Sequence, residues 1–471
     1  MANSWVDIDP TSDFSLANIP FGIISTPDDQ SPHAATAIGS HVLDLKVLAA
    51  NTDLSKVFPG INGLTEAFSQ PSLNPFAQLG RAVHRQVRQG IQDLLSTSTQ
   101  HPEILRDNAS LRQKALLPQT AVKMHLPMET GDYTDFYAGY HHAYAVGVMF
   151  RGAANALQPN YLHLPVGYHG RASSIVVSDT PIRRPVGQIL PDPTAEPKQP
   201  ITAPSRKLDI ELELGCFISR GNVMGEPIDV RDADESHIFG YVLLNDWSAR
   251  DVQTWEYVPL GPFNGKNFAS TISPWVVLAD ALEPFRAEAI KMDSEGQGQE
   301  RMPPLQEYLK EGREKNVFDI RLEVDLTSEF LVFENGCFGT WPADTSFSSC
   351  SLLAAPEGDT TTIGRTSSKN LIWSFPQMIA HHTLGGCPMR TGDLLGSGTI
   401  SGPGGLDERG SLLEITENGR REILLSGMGV RTFLKDGDTI NLRGFCCGPD
   451  GGRVGFGDCR GRIESAIAVR G

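Results

Sequence analysis

Residues 208–218 read LDIELELGCFI, with Asp209, Glu211 and Glu213 alternating with Ile210, Leu212 and Leu214. In an extended chain, residues two apart share a face. The aliphatic side chains can then pack inward while the acids stand in a row, roughly 6.5–7 Å between successive members. The ordinary reading is a half-buried strand with a solvated acidic face. The sharper reading is half of a cation site, which needs more oxygen ligands from elsewhere in the chain.

The rest of the chain bounds the choice. It has 471 residues, 40% hydrophobic and 20% charged, enough for a substantial core in two or three domains. The formal net charge is -16. That disfavours nucleic-acid or anionic-membrane binding, which calls for basic surface, and it permits clustered acids. No apolar run is long enough for a bilayer span, and the start, MANSWVDIDP, has neither a basic nor an apolar signal region. The seven cysteines are scattered without a C-x-x-C, which fits a thiol-reducing compartment. A cytoplasmic protein is the expectation.

Residues 1 to about 120 read as a unit of their own. FGIISTP and TAIGSHVLDL suggest short strands around turns. NPFAQLGRAVHRQVRQGIQDLL, residues 74–95, suggests one helix with Asn74 as N-cap and Pro75 in its first turn. Phe76, Leu79, Val83, Val87, Ile91 and Leu94 would form its apolar stripe. LLPQTAVKMHLPMET looks like a joint. Beyond it, ASSIVVS, IFGYVLLND, SPWVVLAD, FDIRLEVDL and LLEIT are β-like runs between turns, predicting a mostly β body. SFPQMIAHHTL is the helical exception, with Ser374 and Gln377 in capping-box spacing. Residues 186–206 and 292–316 read as insertions and 355–370 as a surface loop.

Familiar catalytic signatures are missing: no G-x-S-x-G elbow, no H-E-x-x-H, no complete P-loop and no dinucleotide fingerprint. What remains is dispersed. DYTDFYAGYHHA carries Asp135, Tyr137, His141 and His142; VMFRG carries Arg151; LPVGYHGRASS carries Tyr168. LLNDWSARDVQTWEYVPLGPFNGKNF carries Asp246, Arg250, Gln253, Tyr257 and Lys266. Singly, each has a plainer explanation: a hydrogen-bonded histidine for His142, a surface ion pair for Arg250. Should Asp135, Glu211, Glu213 and Asp246 converge, they would form an all-oxygen shell suited to Ca²⁺ or Mg²⁺ rather than Zn²⁺ or copper.

Those runs, together with NYLHLPVGYHGRASSIVVSDTPIRRPVGQ, GDLLGSGTISGP and GFCCGPDGGRVGFGDCRGRI, closely resemble the fumarylacetoacetase (fumarylacetoacetate hydrolase) family over nearly the whole chain. The resemblance implies a mainly β protein with some α. Residues 1–122 would form an amino-terminal SH3-like β-barrel, and residues 123–471 a larger metal-dependent catalytic domain of mixed β-roll type. It implies a homodimer with a small-molecule substrate. The family's metal ligands fall on Asp135, Glu211, Glu213 and Asp246, its base on His142, and the base's carboxylate partner on Glu414. Arg250, Gln253 and Lys266 fall near the reacting carbonyl. Substrate contacts fall on Tyr137, Arg151, Tyr168, Gln253, Tyr257 and Thr399. A second cation position would involve Lys266 and Ser270, where the relatives carry threonine in place of Ser270. The selection of Glu211 and Glu213 leaves Asp209 solvated or structural.

The reaction implied is hydrolysis of a carbon–carbon bond in 4-fumarylacetoacetate to fumarate and acetoacetate, the last step of tyrosine and phenylalanine catabolism. His142 would activate a water, and a divalent metal would chelate the 1,3-diketone. The rival enzymatic expectation is an acylpyruvate hydrolase or an oxo-dienoate hydratase or decarboxylase on the same scaffold. The non-enzymatic rival is a calcium-binding or dimeric scaffold, which would have a broken base or ligand set.

Overall fold

A computed structural model of the chain describes residues 3–290, 302–328, 360–426, 429–448 and 452–468. Its architecture is mixed β with some helices. Three sheets carry it: a five-stranded sheet near the amino terminus, an eight-stranded central sheet and a six-stranded sheet.

The five-stranded sheet runs in the order Leu116–Pro118, His41–Asp44, His33–Ile38, Phe21–Ser25, Lys123–His125. The strands inferred around TAIGSHVLDL are there, turning at Gly39 in the left-handed region (φ 55°) that glycine tolerates. The helix expected over residues 74–95 is two helices, Asn74–Gln78 and Arg81–Leu95. Gly80 breaks it with φ 86°. The first helix is capped at Leu73, one residue earlier than expected. Phe76, Val87, Ile91 and Leu94 are fully buried, so the stripe packs as read.

The central sheet positions the chemistry. Its order is Gly167–His169, Tyr133–Phe136, Leu394–Gly396, Leu212–Ile218, Ile238–Asn245, Ser270–Ile272, Ile175–Val177, with Val277–Leu278 also on the Ile238–Asn245 strand. Both faces are covered. Leu212, Leu214, Cys216, Tyr241 and Leu243 join the core shared with the six-stranded sheet. Tyr133, Phe217, Val242, Leu244 and Leu394 join the core shared with the amino-terminal unit. Residues 208–218 are therefore all buried, which corrects the expectation of a solvated acidic face. The stretch is also not one strand: Leu208–Asp209 pairs with Ser248–Ala249, and the ladder resumes at Leu212.

Three further expectations change. LLEIT is a short helix, Leu412–Ile415, not a β run. The loop expected over 355–370 contains the strand Thr360–Ser367, with 355–359 outside the described residues. The 186–206 insertion is an antiparallel pairing of Val186–Ile189 with Ile201–Pro204. Residues 292–301 of the second insertion lie outside the described residues. The helix Phe375–Thr383 has its capping box, Ser374 with Gln377, as read.

Candidate active site

Sheet register places two of the acids. Glu213 pairs with Leu244, Gly215 with both Val242 and Gly396, and Gly396 with Asp135. Cross-strand partners share a face. Asp135 and Glu213 thus lie on the face that carries Tyr133, Phe217 and Leu244, where apolar packing gives way to carboxylates toward the strand ends. Asp246 follows the Ile238–Asn245 strand, and Glu211 precedes the Leu212–Ile218 strand. The Glu211 N–H donates to Asn245 Oδ1 at 3.1 Å, tying the two strand ends together.

Asp135, Glu211, Glu213 and Asp246 converge, each offering an oxygen within 4.8 Å of the others, and all four are buried. Gly396 makes room for them. A Cβ there would lie 2.6 Å from Asp135 Oδ1 and 3.1 Å from Glu213 Oε2. Asp135 Oδ1 and Glu213 Oε1 are buried with no hydrogen-bond partner. Burial and the surrounding negative charge push both carboxyls well above the usual range. Such a set lacks positive charge, and all-oxygen donors of this kind fit a hard divalent cation.

The other two acids are paired. Lys266 Nζ contacts Glu211 and donates to Asp246 Oδ2 at 2.5 Å. Arg250 Nη1 lies 2.8 Å from Glu211 Oε1. Burial alone would raise Glu211, but the Lys266 and Arg250 cations override it and hold it at about 2. Lys266 itself is raised: burial works against the ammonium, and the Asp246 and Glu211 charges outweigh it. Tyr168 Oη and Ser270 Oγ donate to the two oxygens of Asp246, at 2.9 and 2.8 Å. The surface ion pair expected of Arg250 is instead a buried one. Its Nε donates to Asp209 Oδ2 at 2.7 Å, its Nη1 donates to Gln253 Oε1 at 3.3 Å, and its Nη2 is buried without a partner.

Beside this cluster, His142 Nδ1 lies 2.6 Å from Glu414 Oε2, and both side chains are buried. His142 sits in the first turn of the helix Tyr140–Arg151. The Glu414 carboxylate also accepts from Ser401 Oγ and Ser411 Oγ, at 2.9 and 2.8 Å to Oε2. Burial raises that carboxyl, yet His142 and these hydroxyls hold it below the usual range. An acceptor-only Glu414 makes Nδ1 the protonated ring nitrogen and leaves Nε2 with the lone pair.

The remaining candidates are spread around this core. Tyr137 meets the His142 ring edge-on at 5.5 Å. Thr399 is buried with Oγ1 unpartnered. Arg151 is exposed, its guanidinium on the Asn155 and Ala156 carbonyls, though its charge reaches Tyr137. Tyr257, just past the helix Arg250–Glu256, is 50% exposed. Sequence reasoning missed Ser401, Ser411 and Gly396. Ser411 was findable, because Ser411 and Glu414 have the S-x-x-E spacing that starts a helix.

Known proteins resemble the chain over almost its whole length. Residues 133–464 match the model for the fumarylacetoacetate hydrolase C-terminal family, and residues 17–127 that for the fumarylacetoacetase N-terminal family. Over 466 residues the chain is 54% identical to a fumarylacetoacetase of Aspergillus fumigatus, covering 99% of each. It is 44% identical over 467 residues to that of Bos taurus, again covering 99% of each. It is 43% identical to that of Homo sapiens, covering 98% of this chain and 99% of the other.

Proposed function

The chain belongs to the fumarylacetoacetase family and is a hydrolase of fumarylacetoacetate; we infer that the four-acid cluster, the His142–Glu414 pair and the Arg250, Gln253 and Lys266 side chains are its working parts. The observation that carries this reading is the juxtaposition of two unpartnered buried carboxylate oxygens with a buried His–Glu pair.

His142 Nε2 takes a proton from the attacking water. Glu414 holds the ring by Nδ1 and stabilises the imidazolium, while Ser401 and Ser411 keep the carboxylate in place. The hydroxide oxygen adds to the carbonyl carbon at the bond to be broken. The free Nη2 of Arg250 and the Gln253 and Lys266 donors receive the oxyanion, where one well-placed donor is worth about 3 kcal/mol. Collapse breaks the carbon–carbon bond and leaves its electron pair on the acetoacetate carbon. Lys266, held protonated by its carboxylate neighbours, supplies the proton to that carbon. The imidazolium proton then restores Lys266.

Asp135, Glu211, Glu213 and Asp246 would hold a Ca²⁺ or Mg²⁺ ion, which when bound supplies Lewis-acid stabilisation to the oxygens of a 1,3-dicarbonyl. Tyr137, Arg151, Tyr168, Tyr257 and Thr399 bind the substrate's polar ends. The second cation position at Lys266 and Ser270 has less support, since both side chains already bond Asp246. An ammonium offers no lone pair to a cation.

The same reading makes residues 1–122 an SH3-like unit without catalytic groups and 123–471 the catalytic domain. It also makes the enzyme a cytoplasmic homodimer acting last in tyrosine and phenylalanine breakdown. No helix among the described residues is long and apolar enough to cross a membrane. Turnover of fumarylacetoacetate by the purified protein, with fumarate and acetoacetate quantified, tests the activity. His142→Ala is expected to abolish turnover while the protein still folds and keeps its metal content. Retained turnover would remove His142 from the role of base.

A further inference from the structure

Asp209 has no part in the reaction above, yet it is fully buried and its carboxylate is saturated. Oδ2 accepts from Arg250 Nε at 2.7 Å and from the Leu413 N–H at 3.0 Å. Oδ1 accepts from the Leu412 N–H at 2.7 Å and from its own neighbour, the Ile210 N–H, at 2.7 Å. Leu412 and Leu413 open the short helix Leu412–Ile415 that carries Glu414. Asp209 lies two residues before Glu211, on the pairing with Ser248–Ala249 that leads into Arg250. One carboxylate therefore joins the segment bearing Glu211, the guanidinium of Arg250 and the turn bearing Glu414.

We propose that Asp209 is a positioning residue that sets Arg250 and the Glu414 turn in register with one another, so that the oxyanion donor and the base's partner hold a fixed separation. The proposal rests on the reading of Arg250 and Glu414 given above. The geometry explains why a carboxylate is needed. Arg250 spends Nε on Asp209 and Nη1 on Glu211, which leaves Nη2 as its unpartnered nitrogen. All four groups facing Asp209 are N–H donors, so an amide at this position would turn its own NH2 toward at least one of them. Misplacing a reacting group by about 1 Å costs about 100-fold in rate.

The experiment is steady-state kinetics of Asp209→Asn and Asp209→Glu in the metal-loaded enzyme, alone and combined with Arg250→Met, with metal content and melting measured alongside. Each single Asp209 variant is expected to lower kcat about 100-fold. KM should stay within about threefold and the metal stoichiometry should not change. In the Arg250→Met background the same substitution is expected to cost no more than about twofold further. Full additivity in the cycle overturns the proposal. So does a normal kcat in either single variant, or loss of fold or metal in both, which would make Asp209 a core residue only. The wild-type rate in the same assay separates the two levels. Its absence strikes the parent reading, whereas a normal wild-type rate with an unaffected Asp209→Asn strikes the positioning role alone.

Discussion

Two charge clusters in this molecule, one half-exposed and one buried, pair Asp and Glu with basic side chains and behave as opposites. One joins the helix Arg81–Leu95 to the larger part of the chain. Arg81, Arg85, Arg286 and Arg313 there meet Asp234, Glu235, Asp280 and Glu283, and every one of those carboxylates lies within ion-pair distance of a guanidinium. The other gathers Asp135, Asp209, Glu211, Glu213 and Asp246 around Arg250 and Lys266. Asp135 and Glu213 make no ion pair there among the described residues, and each keeps an oxygen without a partner. The balanced cluster is a finished joint. The unbalanced one is short of positive charge among the described residues, and that shortage distinguishes it from a structural network.

The contrast breaks most visibly through activity. Asp135→Ala or Glu211→Ala is expected to lose the bound divalent ion and turnover together, read by metal analysis and by the fumarate assay. Chelation of the wild-type enzyme should do the same, reversibly on adding the ion back. Arg81→Ala should leave turnover unchanged and cost about 3 kcal/mol of stability, the usual penalty for stranding buried partners; denaturant unfolding measures it. A loss of turnover with unchanged stability would reverse the assignment of the two clusters.

A paired substitution sharpens the comparison. In metal-free protein, Glu213→Gln replaces a carboxyl that burial and the neighbouring acids already push toward its neutral form, so its melting temperature is expected to be no lower than wild type. Glu283→Gln removes a charge that Arg81 and Arg286 do balance, and should melt lower. The smallest effect is the joint's pH dependence. Burial would raise the Glu283 carboxyl, but Arg286 and Arg81 override it and hold it at about 2, against an ordinary 4.5. A folded-state pKa below the unfolded one contributes fully above about 4.5 and fades as pH falls toward 2. Wild type should therefore lose stability over that window more steeply than Glu283→Gln.

Much of the candidate site was legible in the sequence. Glu211 and Glu213 read as acids of an alternating run and Asp246 as the acid ending an apolar one, Asp135 was one polar residue of a dispersed set, and His142 with Glu414 followed from the family resemblance. Two of the misreadings share one cause. The face of residues 208–218 read as solvated, and Asp209 as solvated or structural, because alternation marks a boundary between two environments without saying what lies on each side. Here the second environment is the amino-terminal core and its acidic margin, formed by residues nearly two hundred positions away. Arg250 read as a surface residue for the same reason, since its partner Asp209 is distant in sequence. LLEIT read as a strand because its apolar pair outweighed the serine before it.

Local order along the chain was enough to determine the amino-terminal strands and their turn, the apolar stripe of residues 76–94, the Ser374 cap and the chemical character of each candidate ligand. Those features depend on neighbours within a few positions. Only the tertiary structure decided which acids are paired and which are left short of charge. The energy of a buried carboxylate depends on the cations that folding brings within a few ångströms, and Arg250, Lys266 and Gly396 reach the acids from segments that the sequence separates.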